Sequence, residues 1–158
     1  MKHELVIIVD LGGKSNQIIA RRVRENSVYC EVAPYDITID KIKAKNPKGI
    51  IFSGKPLENS EEDKLRKEIL KLDIPVFDSE QIYTPDGDKQ LKDFLLSQCK
   101  CIGDWDMKDF AQNSILSLRE KLKGKKVLCA LSGGVDSSVA AVLIHQAIGK
   151  DLTCIFVD

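Results

Sequence analysis

A glycine-rich loop between two apolar segments constrains the fold of this chain more than any other feature. The loop occupies residues 132–138 (SGGVDSS), after the apolar segment 127–131 and before the apolar segment 139–148. The order of strand, glycine loop and helix is typical of a phosphate site, because glycines let the backbone approach an anion and a helix N-terminus attracts negative charge. The serine hydroxyls add donors, and Asp136 is the predicted N-cap. The structural alternative is a glycine turn that only joins a strand to a capped helix.

A second glycine pair, Gly12 and Gly13, lies near the N-terminus and is followed by Lys14 and Ser15. Gly-Lys-Ser also ends the Walker A loop, but the first glycine of that pattern would fall at position 8, which is Ile8. We therefore predict that this segment is a turn from strand to helix and that it binds no phosphate.

Strand and helix patterns alternate along the first hundred residues. Strands are predicted at 5–9, 28–32, 49–52 and 74–77, and helices at 16–25, 60–72 and 88–98, with Ser60 as an N-cap. Such alternation is typical of a parallel sheet covered by helices.

A break follows at residues 100–106, where Gly103 interrupts the pattern. Beyond it, the sequence predicts a helix at 107–122 and a β-α-β crossover formed by 127–131, 139–148 and 152–157. We expect an α/β protein with two sheet-containing units, residues 1–99 and 107–158, joined by a linker at 100–106.

Composition excludes several classes of partner. The chain has 24 basic and 24 acidic residues, so no overall positive charge favours nucleic acid. No apolar segment is long enough to span a membrane. The five cysteines form no CxxC pair, so we expect reduced thiols and a cytoplasmic protein. Cys99 and Cys101 lack a second ligand pair nearby, and no metal site is predicted from them.

The loop at 132–138 resembles the pyrophosphate loop (SGGxDS) of the N-type ATP pyrophosphatases. Four further segments narrow that resemblance to the glutamine-dependent GMP synthase family. Residues 16–32 and 47–54 resemble its class I glutaminase domain, 99–105 (CKCIGDW) its inter-domain junction, and 127–158 the opening of its synthetase domain. The resemblance covers almost the whole chain. It implies a glutamine amidotransferase sheet followed by the first β-α-β of an ATP-pyrophosphatase domain.

The resemblance also implies a reaction. In that family, XMP is activated by ATP and Mg²⁺ as an adenylate, and ammonia from glutamine then displaces AMP to give GMP. The partners implied are ATP and XMP, and the family members are homodimers. Asp158 closes the strand that borders the nucleotide in the family. The ATP-binding residues implied here are Ser132, Gly133, Gly134, Val135, Asp136, Ser137 and Ser138.

The glutaminase centre departs from the family pattern. A class I glutaminase needs a cysteine nucleophile on a strand-to-helix elbow, with a histidine and an acid beside it. Here Ile74-Pro75-Val76 runs instead into Phe77-Asp78-Ser79-Glu80-Gln81, a stretch that resembles the family's later FHPEV segment. Asp78 stands where that segment has histidine, and Glu80 matches the family acid. We predict that the elbow and a large neighbouring stretch are deleted, and that Glu80 is a remnant of the triad.

The histidines and Lys55 also support the predicted loss of the glutaminase centre. The chain has only His3 and His145, and we expect both to be structural or surface residues. Lys55 interrupts the glycine-glycine-proline turn that helps to form the oxyanion site in the family. No intact glutaminase residue set is predicted.

The chain stops just after the second synthetase strand, whereas the family continues through an XMP site and a dimerisation domain. We expect the synthetase domain to be incomplete and this chain alone to be inactive. Two alternatives stay open: a non-catalytic nucleotide-binding remnant, and another adenylating enzyme such as a tRNA thiolase. The latter requires a basic face or catalytic cysteines near the loop, whereas Cys129 in the preceding strand is predicted to be a core residue.

Overall fold

The computed structural model describes residues 3–156, so the predicted contributions of Val157 and Asp158 lie outside the described residues. The chain divides after Asp106 into two units. No helix in the described range is both long and apolar enough to cross a membrane.

The first unit contains a four-stranded sheet in the order β2-β1-β3-β4, and all three neighbouring pairs are parallel. This confirms the predicted parallel sheet. The strands begin and end within two residues of the predicted bounds: β1 is Leu5–Asp10, β2 is Tyr29–Pro34, β3 is Gly49–Ser53 and β4 is Val76–Asp78.

Four α-helices connect these strands or follow them: α1 (Asn16–Glu25), α2 (Ile39–Lys45), α3 (Glu61–Ile69) and α4 (Gly87–Asp93). Ser60 caps α3 as predicted, since its hydroxyl accepts the Asp63 N–H. The predicted helix at 88–98 changes after Asp93 into a π-helical segment, Phe94–Gln98. Helix α2 was not predicted, because it buries only Ile42 and has no apolar periodicity.

Both faces of this sheet are buried, as parallel sheets require. Val6 and Ile8 of β1 pack on one side against α1 and the π-helical segment, while Ile7 and Val9 pack on the other side against α2 and α3. All four side chains are fully buried. The alternation along β1 therefore places helices on both faces of the sheet.

The second unit has the predicted β-α-β crossover. It consists of α5 (Met107–Lys121), β5 (Val127–Leu131), α6 (Val135–Ile148) and β6 (Leu152–Phe156), with a 3₁₀ turn at Gly149–Asp151 before β6. β5 and β6 are parallel, with Val127 opposite Leu152 and Leu131 opposite Phe156. The side chains of this unit are only slightly buried, because a single β-α-β crossover encloses little volume. Leu128 is 66% exposed on the open face of β5.

Candidate functional site

The loop between β5 and α6 opens directly onto a helix N-terminus. Gly133 has a φ of +77°, which favours glycine, and Gly134 is the N-cap with extended backbone angles. The predicted N-cap, Asp136, is wrong: α6 begins at Val135, so Asp136 lies in its first turn. The helix starts earlier than the apolar pattern suggested, because the Gly134 carbonyl already accepts the Ser138 N–H.

Three serine hydroxyls gather around this N-cap. Ser137 Oγ lies 3.2 Å from Ser132 Oγ and donates to the Gly134 carbonyl at 3.0 Å. Ser138 Oγ donates to the same carbonyl at 2.9 Å. Each hydroxyl can rotate, and therefore each can redirect its proton toward an anion at the helix start.

The glycine N-cap has a chemical consequence. The first N–H groups of any helix have no intrahelical acceptor, and Gly134 has no side chain with which to cap them. Ser132, Gly133 and Gly134 are all exposed, so an anion can reach these donors from solvent. The donor set consists of backbone N–H groups and hydroxyls at a positive helix end, which suits phosphate oxygens.

Asp136 adds a carboxylate to the same turn. It is exposed, and one carboxylate combined with phosphate oxygens and water is a usual environment for Mg²⁺. Among residues 3–156, no group of three or more His, Cys, Asp or Glu side chains is placed to hold a metal by itself. The loop therefore fits a metal that arrives with a phosphate ligand, rather than a metal held by protein alone.

The glycine pair after β1 lies in a different environment. In the first sheet, the strand order changes direction between β1 and β3. Doubly wound sheets bind ligands at the carboxyl ends of the strands at such a switch point. Here the loops fill that position: the N–H groups of Leu11 and Gly13 both donate to the Ser53 carbonyl, at 2.8 and 3.2 Å. A Cβ on Gly13 would lie 2.3 Å from Ser53 Oγ. The segment is a packed strand-to-helix turn, as predicted.

The residues assigned to a former glutaminase triad do not form one. Asp78 ends β4, where Arg66 Nη2 lies 3.0 Å from both of its carboxylate oxygens. Glu80 lies in the following 3₁₀ turn (Ser79–Tyr83) and is exposed. His3 lies at the opposite, amino-terminal edge of the sheet, with Nδ1 3.1 Å from the Asp104 carbonyl oxygen. His145 is an exposed residue of α6, in the other unit.

The cysteines of the first unit are unsuited to nucleophilic attack. Burial raises the pKa of the Cys30 and Cys101 thiols to about 11 and that of Cys99 to about 12. These three side chains therefore stay protonated at neutral pH, and the thiolate is the reactive form. Cys129 and Cys154 belong to the second unit, where they are half-buried and exposed.

Two contacts were missed by sequence reasoning. The Arg66–Asp78 ion pair has no sequence signal, because α3 carries many charges and any of them could face solvent. The pairing of Cys129 with Cys154 across β5 and β6 did have a signal in the sequence. Each cysteine is the third residue of its predicted strand, so in-register pairing of those strands places them opposite each other.

Two family models match parts of this chain. Residues 7–78 match the model described as glutamine amidotransferase class-I, and residues 125–158 match the tRNA methyl transferase HUP domain. The fold and the loop thus define an amidotransferase-type parallel sheet followed by the beginning of a HUP-type domain.

Sequence similarity along the whole of this chain identifies a narrower family. The chain is 38% identical over 251 residues to GMP synthase [glutamine-hydrolyzing] of Clostridium tetani, and 37% identical over 249 residues to that of Acetivibrio thermocellus. All of this chain is covered in both cases, with 49% of each relative. The chain is a homologue of the GMP synthases along its whole length, and it spans about half the length of these relatives.

The lengths of the alignments reveal an internal deletion. The C. tetani alignment covers 251 positions, whereas this chain has 158 residues, so at least 93 aligned positions have no counterpart here. Because the whole chain is aligned, the missing positions are internal.

Proposed function

We propose that residues 132–138 bind the phosphates of ATP, as part of the ATP-dependent amination of XMP to GMP. The observation that carries this proposal is the open helix start at Gly134, in a chain homologous to GMP synthases throughout. ATP, XMP and Mg²⁺ are the proposed partners of the whole protein. The unpaired cysteines are compatible with a reducing compartment such as the cytoplasm.

Each part of the loop has a proposed role. Gly133 and Gly134 allow close backbone approach, and the N–H groups of residues 134–137, which precede the first helical hydrogen bond, would point toward the phosphates. The hydroxyls of Ser132, Ser137 and Ser138 supply further donors. Asp136 would share Mg²⁺ with the phosphate oxygens, and the metal would neutralise their charge. The residues therefore act by positioning and by charge stabilisation.

We further propose that this chain does not hydrolyse glutamine. No cysteine follows β1, β3 or β4 at the carboxyl edge of the first sheet, where an elbow nucleophile would have to lie. Asp78 is held by Arg66, and Glu80 has no histidine to orient. We place the internal deletion just before Phe77, within β4, where Ile74-Pro75-Val76 passes directly into the segment 77–81 that resembles FHPEV.

A non-catalytic nucleotide-binding role is the second candidate. It is favoured by the Arg66–Asp78 ion pair, which gives a former catalytic position a structural contact. The synthetase and the binding remnant would share the phosphate site. Only the synthetase would convert XMP to GMP. A tRNA-modifying role receives less support, because the matching HUP model covers only residues 125–158, while the GMP synthases align with the entire chain.

Titration of the ¹⁵N-labelled chain with pyrophosphate and with MgATP tests the shared proposal. We expect saturable amide shifts centred on residues 132–138. Shifts centred on residues 12–15, with none in the loop after β5, would mean that the site is wrong. Production of GMP from XMP, MgATP and ammonia would then distinguish a synthetase from a binding remnant.

A further inference from the structure

Two of the five cysteines face each other across the small sheet of the second unit. Cys129 of β5 and Cys154 of β6 are register partners in a parallel pair. Register partners have side chains on the same face, and neighbouring strands lie about 4.8 Å apart. Disulfide bonds form at Cα separations of about 4.4–6.8 Å. The strand register therefore places the Cα atoms of these two cysteines at a separation that a disulfide can span.

Solvent access separates this pair from the other three cysteines. Cys154 is exposed and Cys129 is half-buried beside it, whereas Cys30, Cys99 and Cys101 are buried in the first unit. An oxidant in solution therefore meets Cys154 first and finds Cys129 next to it. A reactive thiol with a neighbouring resolving thiol is the usual arrangement of a redox-sensitive pair.

We propose that Cys129 and Cys154 form a reversible intramolecular disulfide when the protein meets a hydroperoxide. The bond would link β5 and β6 three residues before Ser132. The pair is therefore a modification site adjacent to the phosphate loop, and its formation does not depend on nucleotide binding.

The reaction balances with hydrogen peroxide as the oxidant. The Cys154 thiolate attacks one peroxide oxygen, the O–O bond breaks, and the departing hydroxide takes up a proton to form water. Cys154 is left as a sulfenic acid. The Cys129 sulfur then attacks the Cys154 sulfur, the S–O bond breaks, and a second water leaves with the Cys129 proton. Two thiols lose two electrons in total, and one peroxide gains them.

Peptide mapping provides a direct test, because trypsin places each cysteine in a separate peptide: 25–41, 93–100, 101–108, 127–150 and 151–158. The reduced chain is treated with hydrogen peroxide, blocked with N-ethylmaleimide and digested. We expect peptides 127–150 and 151–158 to be joined, and the link to disappear on treatment with dithiothreitol. The other three peptides should carry maleimide.

Variants and a denatured control make the test specific. Cys129→Ser should leave a sulfenic acid on Cys154 that dimedone traps, while Cys30→Ser should keep the 129–154 link. In guanidinium chloride, links should spread among all five cysteines. The proposal is overturned if the native link pattern equals the denatured one, if the joined peptides come only from covalent dimers, or if no link forms in a large excess of peroxide.

Discussion

Arg66 of α3 and Asp78 of β4 form an ion pair at the carboxyl edge of the first sheet, with Arg66 Nη2 3.0 Å from each carboxylate oxygen. The guanidinium also lies 5.3 Å from the centre of the Phe52 ring, within the range of a cation–π contact. Three consecutive elements, β3, α3 and β4, are thereby connected. Under the assignment proposed above, Asp78 stands at the position of the triad histidine, and the ion pair gives that position a structural contact.

We predict that Asp78→Asn destabilises the first unit by about 1 kcal/mol, because Arg66 loses a charged acceptor while staying partly buried. Unfolding in urea is followed by fluorescence of Trp105, the single tryptophan, which is buried in this unit. Asp88→Asn is the matched control, since Asp88 pairs with Arg22 but is 83% exposed. Equal effects of the two substitutions would show that the Arg66–Asp78 pair is only a surface contact.

The first sheet was predictable because its signals are local. Residues 6–9 of β1 are buried on both faces of the sheet, so the run 5–9 is continuously apolar, and glycine or charged segments separate it from its neighbours. Helix α2 lacks such a signal: Thr38 caps it by accepting the Lys41 N–H, and only the buried Ile42 and the partly buried Ile39 pack it against the core. A helix this short depends on tertiary packing rather than on its own pattern.

The loop between β5 and α6 was predictable in position but not in detail. Glycines and serines at 132–138 mark the turn, whereas the start of α6 depends on where the backbone first accepts a helical hydrogen bond. That acceptor is the Gly134 carbonyl, and it lies ahead of the apolar pattern that starts at Val139. Side-chain caps are favoured statistically, whereas α6 has a glycine at its N-cap and no side-chain cap.

We predict no glutamate release from glutamine by the native chain, and none by Asp78→His. Restoring a histidine supplies a base but no nucleophile, because the thiols of Cys30, Cys99 and Cys101 are buried and protonated. A coupled glutamate dehydrogenase assay measures this, with heat-treated protein as the blank. Release that disappears in one of the five cysteine-to-serine variants would contradict the loss of the glutaminase.

The buried thiols should make the first unit sensitive to alkali. Burial raises the pKa of Cys99 from 9.0 to about 12, so folding favours the protonated thiol. Stability from this thiol is present below pH 9 and is lost as pH rises from 9 toward 12, because the unfolded chain ionises first. We expect Cys99→Ala to reduce the fall in unfolding free energy over this interval by up to about 1 kcal/mol per pH unit. Ser97→Ala, an exposed neighbour, should keep the native slope.

Gly134→Val should abolish pyrophosphate binding without unfolding the second unit. The backbone of Gly134 is extended, and an added Cβ would meet only Ser132 Oγ, at 3.5 Å, which is an ordinary contact. The fold therefore tolerates a side chain at position 134. That side chain would, however, block an anion from approaching the helix start. Loss of the amide shifts at residues 132–138, with the β5–β6 amides unchanged, is the expected NMR result.

Lys14→Ala is the matched control for that substitution. It removes an exposed cation from the glycine turn after β1, where the Ser53 carbonyl already accepts the N–H groups of Leu11 and Gly13. No backbone donor of these two residues is left for an anion, so pyrophosphate affinity should equal that of the native chain. Weaker binding in Lys14→Ala, together with full binding in Gly134→Val, would move the phosphate site to the first unit.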